Sequence, residues 1–560
     1  MTLRYRFCLL LFVFFFFIII ARLFYWQVVR AEELSFLGKS QYGTFIKIPP
    51  QRGEIKTSDG FSIVANRLTF LLFANPKEIK NKNETSILIS SILEMDKASV
   101  SASLSFNDRV WVPVKSRVPS GKKDEIEKLK LKGFGFEPES SRFYPEASLA
   151  AQLVGFVGKN DLGEDKGYFG LEGFYDRQLS GKTGAAIAVH DAFGRPILSK
   201  MDESLKAVNG RTLVLNIDRT IQFLAEKKLK DGIEKYGASA GMVGIVDPKT
   251  GNVISIASFP SFDQGSYQEY SDSLYRNPFI SNLYEPGSTF KALIMASAID
   301  AGVVKPETKC PICDKPVSIA EYKINTWNNK YYKDINMIDV IKHSDNTGMV
   351  FAARSLGLRK MLYYLDKFGI GSLTGIDLQG EVSLNLKPER NWYPIDLATA
   401  SFGQGISVTP IELLTAFASI ANEGKRMQPH VVSRIETEEG KVINIGPKVM
   451  NNPISAKTAK IMTEILVNAV DKGEAKWAKP KGYRIAGKTG TSQIPIAGHY
   501  DPTKTIASFI GFAPADDPKF AMIVIVDRPT TSIYGADTAA PIFFDIAKEI
   551  LAYYGIPPSE

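Results

Sequence analysis

Pro286-Gly287-Ser288-Thr289-Phe290-Lys291 opens a run, Phe290 to Ile299, that is apolar except for Lys291 and Ser297. Pro286-Gly287 reads as a helix-starting turn, and a helix apolar on every side is a buried one. Positions three apart share a helix face, so the spacing predicts that the Lys291 ammonium lies against the Ser288 hydroxyl in a poorly solvated place. Desolvation disfavours the charged lysine and lowers its pKa. A neutral amine there can take the proton that an unassisted hydroxyl does not surrender near pH 7. Ser120 and Lys123 repeat the spacing in a run rich in Gly, Lys and Glu, where both side chains would be solvated. Context therefore selects Ser288 as nucleophile and Lys291 as its base. The competing account, a helix cap and a snorkelling lysine, leaves unexplained a lysine in the first turn of an otherwise apolar helix.

Two further short patterns follow in order. Ser344-Asp345-Asn346 falls in a polar break, His343 to Thr347, between helical patterns at 336–342 and 348–356. A loop there offers a hydroxyl to relay a proton and an amide to hold a substrate backbone; on local grounds a capped helix start explains it equally well. Lys488-Thr489-Gly490-Thr491 lies on the strand pattern after Arg484-Ile485-Ala486. Gly487 and Gly490 remove side chains beside a cleft, so an extended peptide can pair with that edge. Lys488 supplies positive charge for a substrate carboxylate, with Thr489 and Thr491 as hydroxyl donors. Copies at Ser105-Phe106-Asn107, Ser383-Leu384-Asn385 and Lys182-Thr183-Gly184 show that each pattern alone is weak.

Around these motifs the chain reads as α+β. Leu213, Leu215 and Ile217 alternate, and Asp218 can cap a helix carrying Ile221, Leu224, Ala225, Leu229 and Ile233, ended by Gly237. Strands are predicted at 242–246, 253–257, 484–494, 506–512 and 520–526, and a helix at about 538–554. The stretch 286–425 reads as helices; at 410–422, Thr409 caps, Pro410 takes the first turn and Glu412 completes a capping box. A central antiparallel sheet begun before these helices and finished after them makes them an inserted subdomain, with a cleft between sheet and helices. Residues 40–205 look strand-rich, irregular and non-catalytic, and 206–560 form the catalytic domain.

At the N-terminus, Phe7 to Ala21 is uninterruptedly apolar, and Leu23 to Trp26 and Val28-Val29 extend it past Arg22. Residues 7–29 reach the roughly 20 apolar residues that span a bilayer, with Arg22 able to snorkel near the end. Arg4 and Arg6 favour a cytoplasmic tail at 1–6, with the rest outside the cell membrane. Small-x-small cleavage spacing does not follow the run, which argues for an anchor over a cleaved signal peptide. The net charge of +8 over 560 residues is spread rather than gathered in a stripe, which speaks against nucleic acid. Cys310-Pro311-Ile312-Cys313 lacks the four ligands of a structural zinc site and reads as a local disulfide or two idle thiols. The histidines at 190, 343, 430 and 499 show no ligand spacing, and no metal or cofactor is expected.

The three motifs in this order resemble the signature of penicillin-binding proteins and class A β-lactamases. The likeness to a class B penicillin-binding protein extends over nearly the full length: the anchor, Arg52-Gly53, Gly170-Leu171-Glu172 and Gly194-Arg195 of the family's pedestal, then Ser401 to Thr409 with its Gly403-Gln404-Gly405 core, and Ser508 to Phe512. The resemblance implies that Ser288 attacks the penultimate D-Ala carbonyl of a peptidoglycan stem peptide, that Lys291 and Ser344 handle the proton, and that Asn346, Lys488, Thr489, Gly490 and Thr491 bind the donor. An amine of a neighbouring strand then resolves the acyl-enzyme, β-lactams acylate the same serine, and the backbone N–H groups of Ser288 and Thr491 form the oxyanion hole. Nothing resembles a glycosyltransferase domain, so a membrane glycan polymerase and division or elongation proteins are implied partners, with a slight lean to the division type. A D,D-carboxypeptidase or β-lactamase, and a non-catalytic scaffold, remain the rival readings. Class A β-lactamases add a glutamate that activates water; the motif resemblance assigns no acidic residue to that role, and Asp345 should point away from the cleft.

Overall fold

The computed structural model describes residues 3–31, 33–34, 43–190, 196–496 and 499–558. The apolar N-terminal run forms an α-helix, Leu3–Phe24, that widens into a π-turn at Tyr25–Val29. Together these 27 residues are long and apolar enough to cross a membrane. The chain divides into two compact units, Met1–Arg52 with Ser180–Gly210, and Gly53–Leu179 with Arg211–Glu560. The first carries a three-stranded antiparallel sheet of Gly43–Ile48, Gly184–His190 and Pro196–Leu205, with Gly184–His190 central. Gly194 and Arg195 lie outside the described residues.

The second unit holds two large sheets. In one, Val432–Glu436, Thr212–Leu215, Ile55–Lys56 and Ser62–Ala74 lie side by side, and Ser62–Ala74 pairs on with both Val112–Val118 and Phe134–Phe143. The alternation at Leu213 and Leu215 does form a strand, but it joins this sheet rather than the central one. Alternation marks a strand and says nothing of its neighbour. Three helices, Lys82–Leu93, Lys97–Leu104 and Ser120–Lys128, also stand in the region read as strand-rich. The first of them buries Thr85, Ser86 and Ser90 while exposing Ile87 and Leu88, which blurs the helical pattern. Two pieces of the pedestal pattern meet on one side chain: Arg142 donates through Nε to Glu172 Oε1 at 2.7 Å and through Nη1 to the Gly53 carbonyl at 2.7 Å. Both ions are buried, so truncating either would cost about 3–5 kcal/mol.

The central sheet has five antiparallel strands in the order Val253–Phe259, Ala240–Val246, Phe520–Asp527, His499–Ala513, Ala486–Ile496. Its residues alternate between two cores. Val243, Ile245, Met522, Val524 and Val526 pack with the helices Arg219–Tyr236 and Ala539–Tyr553, whereas Met242, Val246, Ala521, Ile523 and Ile525 pack with the helical insert. Both faces are therefore covered, which explains why these strands read as continuous apolar runs. Asp218 caps the helix Arg219–Tyr236 by accepting from Ile221 N at 3.0 Å, and Gly237 ends it at φ +58°. Thr409 and Glu412 form the expected capping box on Pro410–Ala421.

Candidate active site

The nucleophile candidate sits where the chain leaves a 3₁₀ turn, Gly287–Phe290, and enters the helix Lys291–Asp300. Gly287 takes φ +56°, and a Cβ there would lie 2.9 Å from the Thr491 carbonyl oxygen, so glycine lets the turn press against the strand Ala486–Ile496. From the other side Gly287 N donates to Gly403 O at 3.0 Å. The Gly403-Gln404-Gly405 core thus braces the residue before Ser288. Ser288 is half-buried and lines a cleft of about 650 Å³, while every residue from Lys291 to Ile299 is buried.

Lys291 is fully buried, and its Nζ donates to the Ser344 carbonyl at 2.6 Å, to Asn346 Oδ1 at 2.7 Å and to Ser344 Oγ at 3.2 Å. The first two motifs therefore meet on one amine. No hydrogen bond joins Lys291 to the Ser288 hydroxyl among the described residues, so the direct contact predicted from the spacing is replaced by contacts to Ser344 and Asn346. The fold brings the Ser344 carbonyl and hydroxyl and the Asn346 amide oxygen within hydrogen-bond reach of the amine. Burial first, and then the charge of Lys488, hold the Lys291 pKa well below its ordinary value, against Asp345 and Glu474. As a neutral amine Lys291 keeps two N–H groups for the Ser344 carbonyl and Asn346, and its lone pair can take a proton through the Ser344 hydroxyl.

Ser344 sits at φ +54°, a left-handed conformation that costs a residue with a Cβ about 1–3 kcal/mol and turns the chain between the helices Met337–Lys342 and Asn346–Leu356. The reading of the polar break as a capped helix start holds, and the same break brings Ser344 and Asn346 to the cleft. Asp345 caps the second helix, its Oδ1 accepting from Gly348 N at 3.0 Å and Thr347 Oγ1 at 2.6 Å, and it does not line the cleft. Asn346 is the first helical residue and donates from Nδ2 to Asn325 O at 2.9 Å.

The third motif lies on Ala486–Ile496, which pairs on one side with His499–Ala513 and ends the central sheet. Thr489, Gly490 and Thr491 line the cleft with Ser288, Ser344 and Asn346. A Cβ on Gly490 would come within 2.3 Å of Ser508 Oγ, so the residue's bareness lets two segments of the resemblance touch. Lys488 is buried behind this wall rather than lining it, and its Nζ donates to Thr489 O and Thr489 Oγ1 at 3.1 Å each. Burial pushes its pKa down to about 8, with Glu474 opposing.

Sequence reasoning missed several residues of the cleft. Glu474 lines it, as do Trp327 and Tyr534, whose rings meet edge-on at 5.5 Å. Glu474 stands in a loop between two lysines, Lys472 and Lys476, and no spacing rule marks it. The duplicate motifs separate cleanly: Ser120 is exposed and Lys123 pairs with Glu127 at 2.9 Å, while Lys182 bridges Val208 in the other unit. Cys310 and Cys313 are joined as a disulfide.

Comparison with known proteins gives concordant results. The penicillin binding protein transpeptidase domain matches residues 241–548, and the penicillin-binding protein dimerisation domain matches 47–215. Stage V sporulation protein D of Bacillus subtilis is 32% identical over 561 residues, covering 99% of this chain and 86% of that protein. The peptidoglycan D,D-transpeptidase FtsI of Escherichia coli K12 is 28% identical, covering 96% of this chain and 90% of its own. Penicillin binding protein 2X from Streptococcus thermophilus superposes with a TM-score of 0.77 over 92% of this chain and 81% of its own; at 22% identity this likeness concerns the fold.

Proposed function

The chain belongs to the class B penicillin-binding proteins and is a serine peptidoglycan D,D-transpeptidase, and we propose that it carries its acyl-enzyme on Ser288. In this reading the Ser288 hydroxyl attacks the penultimate D-Ala carbonyl while Lys291, with Ser344 as relay, takes the proton. The backbone N–H groups of Ser288 and Thr491 stabilise the oxyanion, and terminal D-Ala leaves with the returned proton. The donor strand pairs along the free edge of Ala486–Ile496, held by Asn346 and by the hydroxyls of Thr489 and Thr491, with Lys488 as counter-charge to its carboxylate. The observation that carries the reading is the fully buried Lys291 amine, bonded to Ser344 and Asn346 at the floor of the cleft that Ser288 and Thr491 also line.

The helix Leu3–Val29 is long and apolar enough to span a membrane. We read it as an uncleaved anchor in the inner membrane, with residues 1–6 inside and the pedestal (40–205) and transpeptidase (206–560) domains outside, where stem peptides are found. Glycan polymerisation would come from a membrane partner, alongside division or elongation proteins. The test is fluorescent penicillin labelling: Ser288→Ala abolishes covalent labelling and leaves the fold intact. Labelling of that variant, or an adduct mapped to Ser120, would overturn the assignment.

A further inference from the structure

Glu474 is the one carboxylate among the described residues that line the cleft. The helix Ala456–Lys472 ends just before it, and Gly473 lets the chain turn there, since a Cβ on Gly473 would lie 2.1 Å from Ala469 O. The turn delivers the Glu474 side chain to Thr489, whose Oγ1 donates to Oε2 at 3.4 Å. The same hydroxyl accepts from Lys488 Nζ at 3.1 Å. Lys488, Thr489 and Glu474 thus form a directed chain in which one hydroxyl accepts from the cation and donates to the anion. The other carboxylate oxygen, Oε1, is buried and has no hydrogen-bond partner among the described residues.

We propose that Glu474 is a positioning residue of the transpeptidation reaction: acting through the Thr489 hydroxyl, its carboxylate keeps the Lys488 ammonium charged as the counter-ion of the donor's terminal carboxylate. The inference rests on the reading of Lys488 given above. The groups facing this chain are Lys291 from the helix Lys291–Asp300, Asp345 at the cap of Asn346–Leu356, and His343, whose pKa is lowered chiefly by burial and is raised in turn by Glu474. Lys323, an exposed residue, also lines the cleft, and Lys291 is brought toward neutrality, so Glu474 and Lys488 are the charged pair tied directly to the third motif. Removing Glu474 has two opposite effects on an anionic donor. A repelling carboxylate disappears, which favours binding wherever Lys488 is still protonated; and Lys488 sheds its proton at lower pH, which abolishes that binding sooner as pH rises.

The experiment follows the second-order acylation rate of the full chain by benzylpenicillin from pH 6 to 9.5, in the parent, Glu474→Gln and Glu474→Asp. The expected result is a crossing of profiles. Glu474→Gln acylates at pH 6 at least as fast as the parent, and its alkaline limb moves to lower pH; a displacement of about one pH unit from about 8 makes it about eightfold slower at pH 8.5. Glu474→Asp, which keeps the charge and loses reach, falls between, and remains the test if the Gln variant does not fold. The methyl ester of the same penicillin, which has no carboxylate, shows no change in its alkaline limb. A profile unchanged in the variants, or a loss equal at every pH, overturns the inference while leaving Ser288 as nucleophile. A parent that is not acylated at any pH overturns the functional reading and the inference with it.

Discussion

Replacing Gly403 by Ala tests whether the segment 403–405 holds the nucleophile in place. Gly403 takes φ +79°, which costs an L-residue about 1–2 kcal/mol. A Cβ there would lie 2.2 Å from Gly287 O and 2.7 Å from Gly287 N, about 1.2 Å and 0.7 Å short of the 3.4 Å where ordinary contact begins. Both atoms are backbone and cannot rotate away, so the turn carrying Ser288 must move by about that distance. A misplacement of about 1 Å costs on the order of 100-fold in rate, or about 2.7 kcal/mol of barrier. Gly405 provides the control: at φ +72° it bears the same backbone cost, but a Cβ there meets Thr399 Oγ1 at 3.4 Å and nothing nearer. Stopped-flow acylation by a fluorescent penicillin, with thermal unfolding in parallel, should find both variants destabilised and only Gly403→Ala slowed about 100-fold. If the two variants acylate at equal rates, the brace on Gly287 is not what positions Ser288.

Lys291→Arg should be nearly as damaging as Lys291→Ala, because a guanidinium stays protonated and cannot act as a base; acylation within tenfold of the parent rate, about 1.4 kcal/mol, would mean that Lys291 serves only as a charge. The parent's acylation rate should rise with pH as Lys291, depressed by burial, loses its proton, and fall above about 8 as Lys488 loses its own. A rate still climbing at pH 10 would remove Lys488 from donor binding. The penicilloyl-enzyme should persist for minutes or longer, because Asp345 is committed to capping a helix and Glu474 to Thr489. Release of label at about one turnover per second or faster, as in ordinary enzymes, would reveal a deacylating base, and Glu474 would be the first residue to replace.

How much of this was legible beforehand depended on whether a signal is local. The buried helix after Ser288, the caps at Asp218 and Thr409 and the five central strands are written in short-range patterns, and each appears, although the strand read at 506–512 runs from His499 to Ala513. The first motif could be told from its copy at Ser120 because burial is itself encoded by the neighbours: apolar residues surround Lys291, charged ones Lys123. Residue types and their order therefore picked out Ser288 and Lys291 as candidates for nucleophile and base, and the class of reaction came with the resemblance to a known family. What needed the tertiary structure was every relation between segments distant in the chain. The strand Thr212–Leu215 joins Val432–Glu436 and Ile55–Lys56, partners that alternation alone does not specify. The Lys291 amine chooses Ser344 and Asn346 over the adjacent Ser288, because which acceptors win depends on those that folding brings within about 3 Å. Glu474 reaches Thr489 across 15 positions of sequence through a turn set by Gly473, and in the sequence it is one acidic residue between two lysines. Helical and strand periodicities carry information over a few residues, whereas electrostatic and hydrogen-bond partners are set by distance in space, which only the folded chain defines.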